Sequence, residues 1–209
     1  MKTWLTLSFI FIFSLCSWAQ SALKVACVGN SITEGAGIET GKKYPEQLQA
    51  LLGTNYEVRN YGIGGRTLLK KGDYPYWNEA KYQEVLQWQP DIVVIKLGTN
   101  DSKPQNWQHK ADFKKDYVAL IKSFKKLPNR PKVYICKPMP AYYTNFNISP
   151  EIIQNEMLPL IEAIAKKTKV KVIDLYTPMI GKNALAPDGI HPNADGTAIL
   201  AQEVYQAIK

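Results

Sequence analysis

The sequence contains two histidines, His109 and His191, so a reaction that uses the commonest general base has two places to find it. His109 lies in the polar stretch WQHKAD ahead of an amphipathic pattern, the setting of a solvent-exposed histidine. His191 lies in APDGIHPNADG, three residues after Asp188. A carboxylate at that spacing can hold the ring nitrogen that faces away from a nucleophile, fixing the tautomer and stabilising imidazolium as it forms. The plain alternative is a loop histidine beside Pro192 that only caps the next helix. A hydroxyl to pair with this base is offered by Ser31 in VACVGNSITEG, directly after an apolar run and inside a turn-favouring stretch. There a serine is presented at the end of a strand, within reach of a base from another loop.

Stabilisation of a developing oxyanion needs donors rather than bases. Asn100, in KLGTND, follows another apolar run, and its amide could donate alongside the Ser31 backbone NH and an NH of the glycine loop NYGIGGRT. Glycine suits that loop because its backbone can approach a reacting carbonyl closely and adopt positive φ. Asp101 and Asp174 also end strands and read as carboxylates that tether loops. One active-site histidine without a Cys or acidic cluster at ligand spacing makes a catalytic metal improbable, so the expectation is chemistry with no metal and no cofactor.

Five apolar runs must position these groups: Leu23 to Val28, Tyr56 to Tyr61, Asp91 to Leu97, Lys132 to Cys136 and Val170 to Leu175. They are rich in β-branched residues and nearly continuous, which predicts parallel strands covered on both faces. Helical spacing links Phe113, Tyr117, Leu120, Ile121 and Phe124, and again Ile153, Met157, Leu160, Ile161 and Ile164. Pro159 falls within the second pattern, so that helix is kinked or begins near it. Asn193 is placed to cap a last helix running to Ile208. Alternating strands and helices predict an open α/β sandwich, and GNS, GIGG and GTND each follow a strand, at the carboxyl edge where such sheets bind ligands.

Taken in order, GNSITEG, NYGIGG, GTND and DGIHP resemble the SGNH hydrolases, the GDSL esterase and lipase family, from about Val25 to the C-terminus. The resemblance implies a three-layer α/β/α sandwich with a five-stranded parallel sheet, the flavodoxin-like SGNH fold. It also implies Ser31 as nucleophile, His191 as base and Asp188 as its partner, with the Ser31 amide, Gly65 and Asn100 as oxyanion donors. Gly65 is preferred because it precedes the Arg66–Thr67 pair, as the family's donor glycine does; Gly62 and Gly64 remain alternatives. The chain departs from many members in having Asn30, not Asp, before the serine, which bears on how the nucleophile turn is held.

The remaining composition sets bounds. Residues 1–19 have a basic Lys2, an apolar run from Leu5 to Leu15 and small residues around Ala19, the layout of a signal peptide. Export to the periplasm or medium follows, with a lipid anchor on Cys16 as the competing reading. Residues 20–209 suffice for one domain, and no other segment approaches the ~20 apolar residues of a membrane span. The net charge of +8 lies mostly on helix faces such as Lys114, Lys115, Lys122, Lys125 and Lys126, which reads as solvated surface rather than a nucleic-acid groove. Cys27 and Cys136 fall in strands separated by another, ~9 to 10 Å apart at ~4.8 Å per strand, too far for a disulfide.

Aromatic residues crowd the loops: Tyr74, Tyr76 and Trp77 after the second strand, Trp107 after GTND, and Tyr142, Tyr143 and Phe146 after the fourth. Trp77, Trp107 and Tyr142 are the expected sugar-stacking surfaces, each with the alternative of packing its loop down. The absence of an apolar lid disfavours a lipase. Compact secreted SGNH proteins often deacetylate carbohydrates, including sialic acids and plant polysaccharides, so the resemblance implies a carbohydrate O-acetylesterase acting on a small-molecule or oligosaccharide acetyl ester. The alternatives are a lysophospholipase, thioesterase or general short-chain esterase, and a non-catalytic carbohydrate-binding protein. The sequence assigns no oligomeric state.

Overall fold

The computed structural model describes residues 21–209; the signal-peptide and Cys16 expectations fall on residues outside that range. In chain order the elements are β1 (Leu23–Gly29), α1 (Ser31–Glu34), α2 (Tyr44–Leu52), β2 (Tyr56–Gly62), α3 (Ala80–Trp88), β3 (Ile92–Lys96), α4 (Pro104–Trp107), α5 (Lys110–Lys125), β4 (Lys132–Lys137), α6 (Pro150–Ile152), α7 (Leu158–Thr168), β5 (Lys171–Asp174) and α8 (Ala194–Ile208). All four strand pairings are parallel and the order is β2-β1-β3-β4-β5. That is the doubly wound arrangement with its switch point between β1 and β3.

Alternate strand residues feed two cores. Ala26, Val28, Val93, Ile95, Val133 and Ile135 point to one face, which α3, α5 and α7 cover through Val85, Phe113, Tyr117, Phe124, Ile161 and Ile164. Val25, Cys27, Ile92, Val94, Tyr134 and Cys136 point to the other, covered by α2 and α8 through Leu48, Leu200 and Val204. Burial on both faces explains why the strands read as continuous apolar runs. Cys27 and Cys136 are both free and buried, with β3 between their strands.

Pro159 sits in the first turn of α7, where its missing NH costs no helical bond. The preceding Ile153–Met157 turn is π-helical, so the widened turn absorbs the ring and lets a single rod run on from α6. The α-helical hydrogen-bond pattern thus resumes at Leu158, next to Pro159, without a break in the rod.

Candidate active site

The turn that carries Ser31 is shaped by contacts as close as backbones allow. Asn30 caps α1 by accepting a hydrogen bond from the Ile32 amide at 3.2 Å. The short helix lies directly on the strand ends: a Cβ at Gly62 would stand 2.2 Å from the Glu34 nitrogen, and one at Gly29 2.0 Å from the Thr33 hydroxyl. Only glycine at both strand ends admits α1 there, and Ser31 is its first residue.

His191 arrives from the opposite end of the chain. Asn193 caps α8 through the Gly196 amide at 3.0 Å, and the Asn193 amide donates to the Leu185 carbonyl at 2.7 Å, so the start of the last helix fixes the loop that carries the imidazole. Ser31 Oγ lies 2.8 Å from His191 Nε2, and His191 Nδ1 lies 2.6 Å from Asp188 Oδ2. The other carboxylate oxygen, Oδ1, accepts from the Ile190 and His191 amides at 2.9 and 2.7 Å. Burial pushes the Asp188 carboxyl up, but these two amides and the ring outweigh it and hold the group below the usual carboxylate range. A ring proton on Nδ1, directed at Asp188, would leave the Nε2 lone pair of His191 free to accept from the serine hydroxyl. His109 is outside this line, at the N-terminus of α5.

The third component comes from β3. Asn100 is buried, and its Nδ2 donates to the Arg66 carbonyl at 3.1 Å; an amide carries two such hydrogens, which leaves one for another acceptor. Gly65 has φ +79° with open space where a Cβ would stand, and a Cβ on Gly64 would lie 3.8 Å from Ser31 Cβ, so the glycine loop flanks the serine. Gly62 does not fit the donor role, because its own amide donates to Asn60 Oδ1 at 2.9 Å.

The loop is held from below by Asp101. Its two oxygens accept from the Leu68 and Leu69 amides at 3.0 and 2.7 Å. Complete burial raises this carboxyl to about 7 against the pull of those amides. Asn106 donates to the Asn100 carbonyl at 2.9 Å and to Asp73 at 3.0 Å, tying the same loop. Asp174 accepts from the Tyr176 and Thr177 amides at 2.9 Å each, as a loop-tethering carboxylate should.

Beneath the Ser31 turn is a group the sequence did not single out. Lys96, the last residue of β3, is fully buried, with Nζ 3.3 Å from both Asn30 Oδ1 and Thr99 Oγ1. Burial lowers its ammonium to about 7. Three of the polar atoms buried without a partner among the described residues, Asn30 Nδ2, Thr33 Oγ1 and Tyr44 Oη, belong to residues of the Ser31 turn and the first residue of α2.

The expected stacking rings are largely turned inward. Trp107 is a correction: it is 5 % exposed and packs on Phe113 with ring centroids 5.3 Å apart, so it presents no face to a sugar. Trp77 is half-buried, donates Nε1 to the Leu68 carbonyl at 2.8 Å and packs on Tyr82. Tyr142 is half-buried too, its hydroxyl donating to the Met179 carbonyl at 2.5 Å. Among the described residues the exposed rings are Tyr74, Tyr143 and Phe146. Among the described residues no group of three or more His, Cys, Asp or Glu could hold a metal ion, and no helix is long and apolar enough to cross a membrane.

Residues 27–199 match the model of the GDSL-like lipase/acylhydrolase family. An acetylxylan esterase of Xylanibacter ruminicola is 40% identical over 210 residues, covering 91% of this chain but 44% of that protein, so the chain spans less than half of that relative's length. Among solved structures, an acetyl xylan esterase matches with a TM-score of 0.73 at 26% identity, over 90% of this chain and 100% of its own. A carbohydrate acetylesterase family member from Sinorhizobium meliloti matches with a TM-score of 0.69 at 21% identity, over 89% and 97%, a likeness of fold.

Proposed function

This chain belongs to the GDSL-like lipase/acylhydrolase family, and on that premise we propose that it is a serine esterase that removes acetyl groups from carbohydrates, with acetylated xylan as its first candidate substrate. The observation that carries the reading is the hydrogen-bonded line from Ser31 Oγ through His191 to Asp188, at 2.8 and 2.6 Å. Those lengths are within reach of proton transfer without rearrangement. In the proposed reaction the Ser31 oxygen attacks the ester carbonyl while His191 Nε2 takes its proton. Asp188 stays ionised and stabilises the imidazolium.

The oxyanion would accept from the amides of Ser31 and Gly65 and from Asn100 Nδ2. Among the described residues neither of those two amides donates to another backbone group, which suits the role. Collapse of the tetrahedral intermediate expels the alcohol, protonated by His191. Water, activated by the same base, then releases acetate from the acyl-Ser31 intermediate. The sequence similarity to an acetylxylan esterase supports the acetyl and carbohydrate parts of the proposal. The signal-peptide pattern of residues 1–19 supports export, where a polysaccharide substrate would be met.

Acetate release from acetylated xylo-oligosaccharides, with Ser31→Ala as the blank, tests the reading. Wild-type release well above that blank is expected, together with a preference for acetyl over octanoyl esters. Release no greater than the blank, or a rate that climbs with acyl length, would overturn it in favour of an inert binder or a lipid esterase.

A further inference from the structure

We propose that Phe146 is a specificity-determining residue, its ring forming the wall beside His191 against which the sugar of the ester is held. The inference rests on the carbohydrate esterase reading and adds the position of the alcohol. Phe146 is 55 % exposed, and its ring centroid lies 5.6 Å from that of the His191 imidazole, at an interplanar angle of 66°. Whatever leaves Ser31's acyl group must take a proton from His191 Nε2, so the leaving oxygen has to come within hydrogen-bond reach of that nitrogen. The proposed oxyanion donors come from other loops, Gly65 from the one after β2 and Asn100 from the one after β3. A ring packed against the imidazole therefore meets the alcohol half of the substrate rather than the acyl half.

The way this ring is held points the same way. Phe146 and Asn147 are the two central residues of a tight turn closed by the Ile148 amide donating to the Asn145 carbonyl at 2.8 Å, and both have positive φ, 51° and 61°. Such a turn favours Asn and Gly at both places, and an aromatic residue in the left-handed region is held there against its preference. Backbone strain of this kind clusters where function requires it.

The turn is bolted to the segment that carries Asp188. Asn145 Oδ1 accepts from the Phe146 amide at 2.9 Å, and its Nδ2 donates to the Asp188 carbonyl at 2.9 Å. The Tyr142 amide donates to the Gly189 carbonyl at 2.9 Å, and the Tyr143 hydroxyl to that of Pro187 at 3.0 Å. Ile148 and Ile190 share a small buried cluster beneath. An exposed aromatic residue on a turn tied by these hydrogen bonds is pre-ordered to bind, at little further entropic cost.

The test uses the full chain with Phe146→Gly and Phe146→Tyr, reading kcat/KM on an acetylated xylo-oligosaccharide and on ethyl acetate, whose alcohol has no ring to hold. Glycine suits the positive φ, so Phe146→Gly should melt no lower than wild type, which separates loss of the ring from loss of the fold. The ratio of the two kcat/KM values should fall about tenfold in Phe146→Gly, or 1.4 kcal/mol, and return in Phe146→Tyr. A ratio within twofold of wild type, or an equal fall on both esters, would overturn the proposal. A wild type that cleaves ethyl acetate but not the oligosaccharide would instead remove the carbohydrate reading, and this inference with it.

Discussion

Replacing Lys96 by Met should stabilise the protein at pH 6 and destabilise it at pH 10. The ammonium is fully buried and accepted only by neutral oxygens, those of Asn30 and Thr99, each 3.3 Å away. No negative charge offsets it near neutrality. Cys136 faces it from β4, and Cys27 on β1 and Tyr44 on α2 line the same core; burial pushes all three up, Cys27 to about 12, so they stay neutral. Burial lowers Lys96 from 10.5 in the unfolded chain to about 7 in the fold. Between those values the unfolded state binds more protons, so stability rises with pH.

At 1.36 kcal/mol per unit, the penalty below pH 7 is about 5 kcal/mol and fades as pH climbs toward 10.5. Met fills similar volume without charge but forfeits the two hydrogen bonds, about 1 kcal/mol each. The variant should therefore lead by about 3 kcal/mol at pH 6, draw level near pH 9 and trail beyond it. Urea unfolding followed by circular dichroism reads this directly, a 3 kcal/mol gain moving the midpoint by about 1.5 M. Parallel stability curves for wild type and variant from pH 6 to 10 would refute a buried, uncompensated lysine.

Other substitutions separate the proposed roles. Asn100→Ala should lower turnover on acetyl esters by about 100- to 1000-fold; near-full activity would remove the side chain from the oxyanion site. Asp188→Ala should cost far more activity than Asp174→Ala, and the reverse order would move the histidine's partner to Asp174. Trp107→Ala should cost about 3 to 5 kcal/mol of stability by thermal or urea unfolding while leaving KM for acetylated oligosaccharide nearly unchanged, as fits a core ring; a large rise in KM with stability intact would return it to the substrate surface.

The strands were legible because burial on both faces leaves an unbroken apolar run, and each predicted run meets its strand to within one residue at either end. The candidate site residues stood out in the sequence because Ser31, Gly65 and Asn100 come within four residues after a strand, and Asp188 and His191 precede a capped helix. Direction was not. A loop tryptophan reads alike whether it faces water or core, and only the fold shows that α4 turns Trp107 onto Phe113 of α5. Lys96 reads as a polar strand terminator, yet β3 parity with Ile92 and Val94 turns it toward α2 and α8. Phe146 sits between two asparagines, a turn signal, but its approach to His191 depends on a hydrogen bond from Asn145 to Asp188, 43 residues along the chain.

The two sides of the proposed site are built differently, and this bears on what the proposed esterase can discriminate. On the oxyanion side Asn100 and Asp101 are buried, and every tether is a backbone amide or carbonyl held by a side chain with almost no access to water. A donor set so fixed can be complementary to one small acyl geometry, which favours acetyl. On the histidine side the rings of Tyr143 and Phe146 stand out in solvent on a clamped turn. Discrimination there comes from surface contact with the alcohol, each contact of modest energy, so changes among those rings should alter which sugar is accepted before they alter the chemistry.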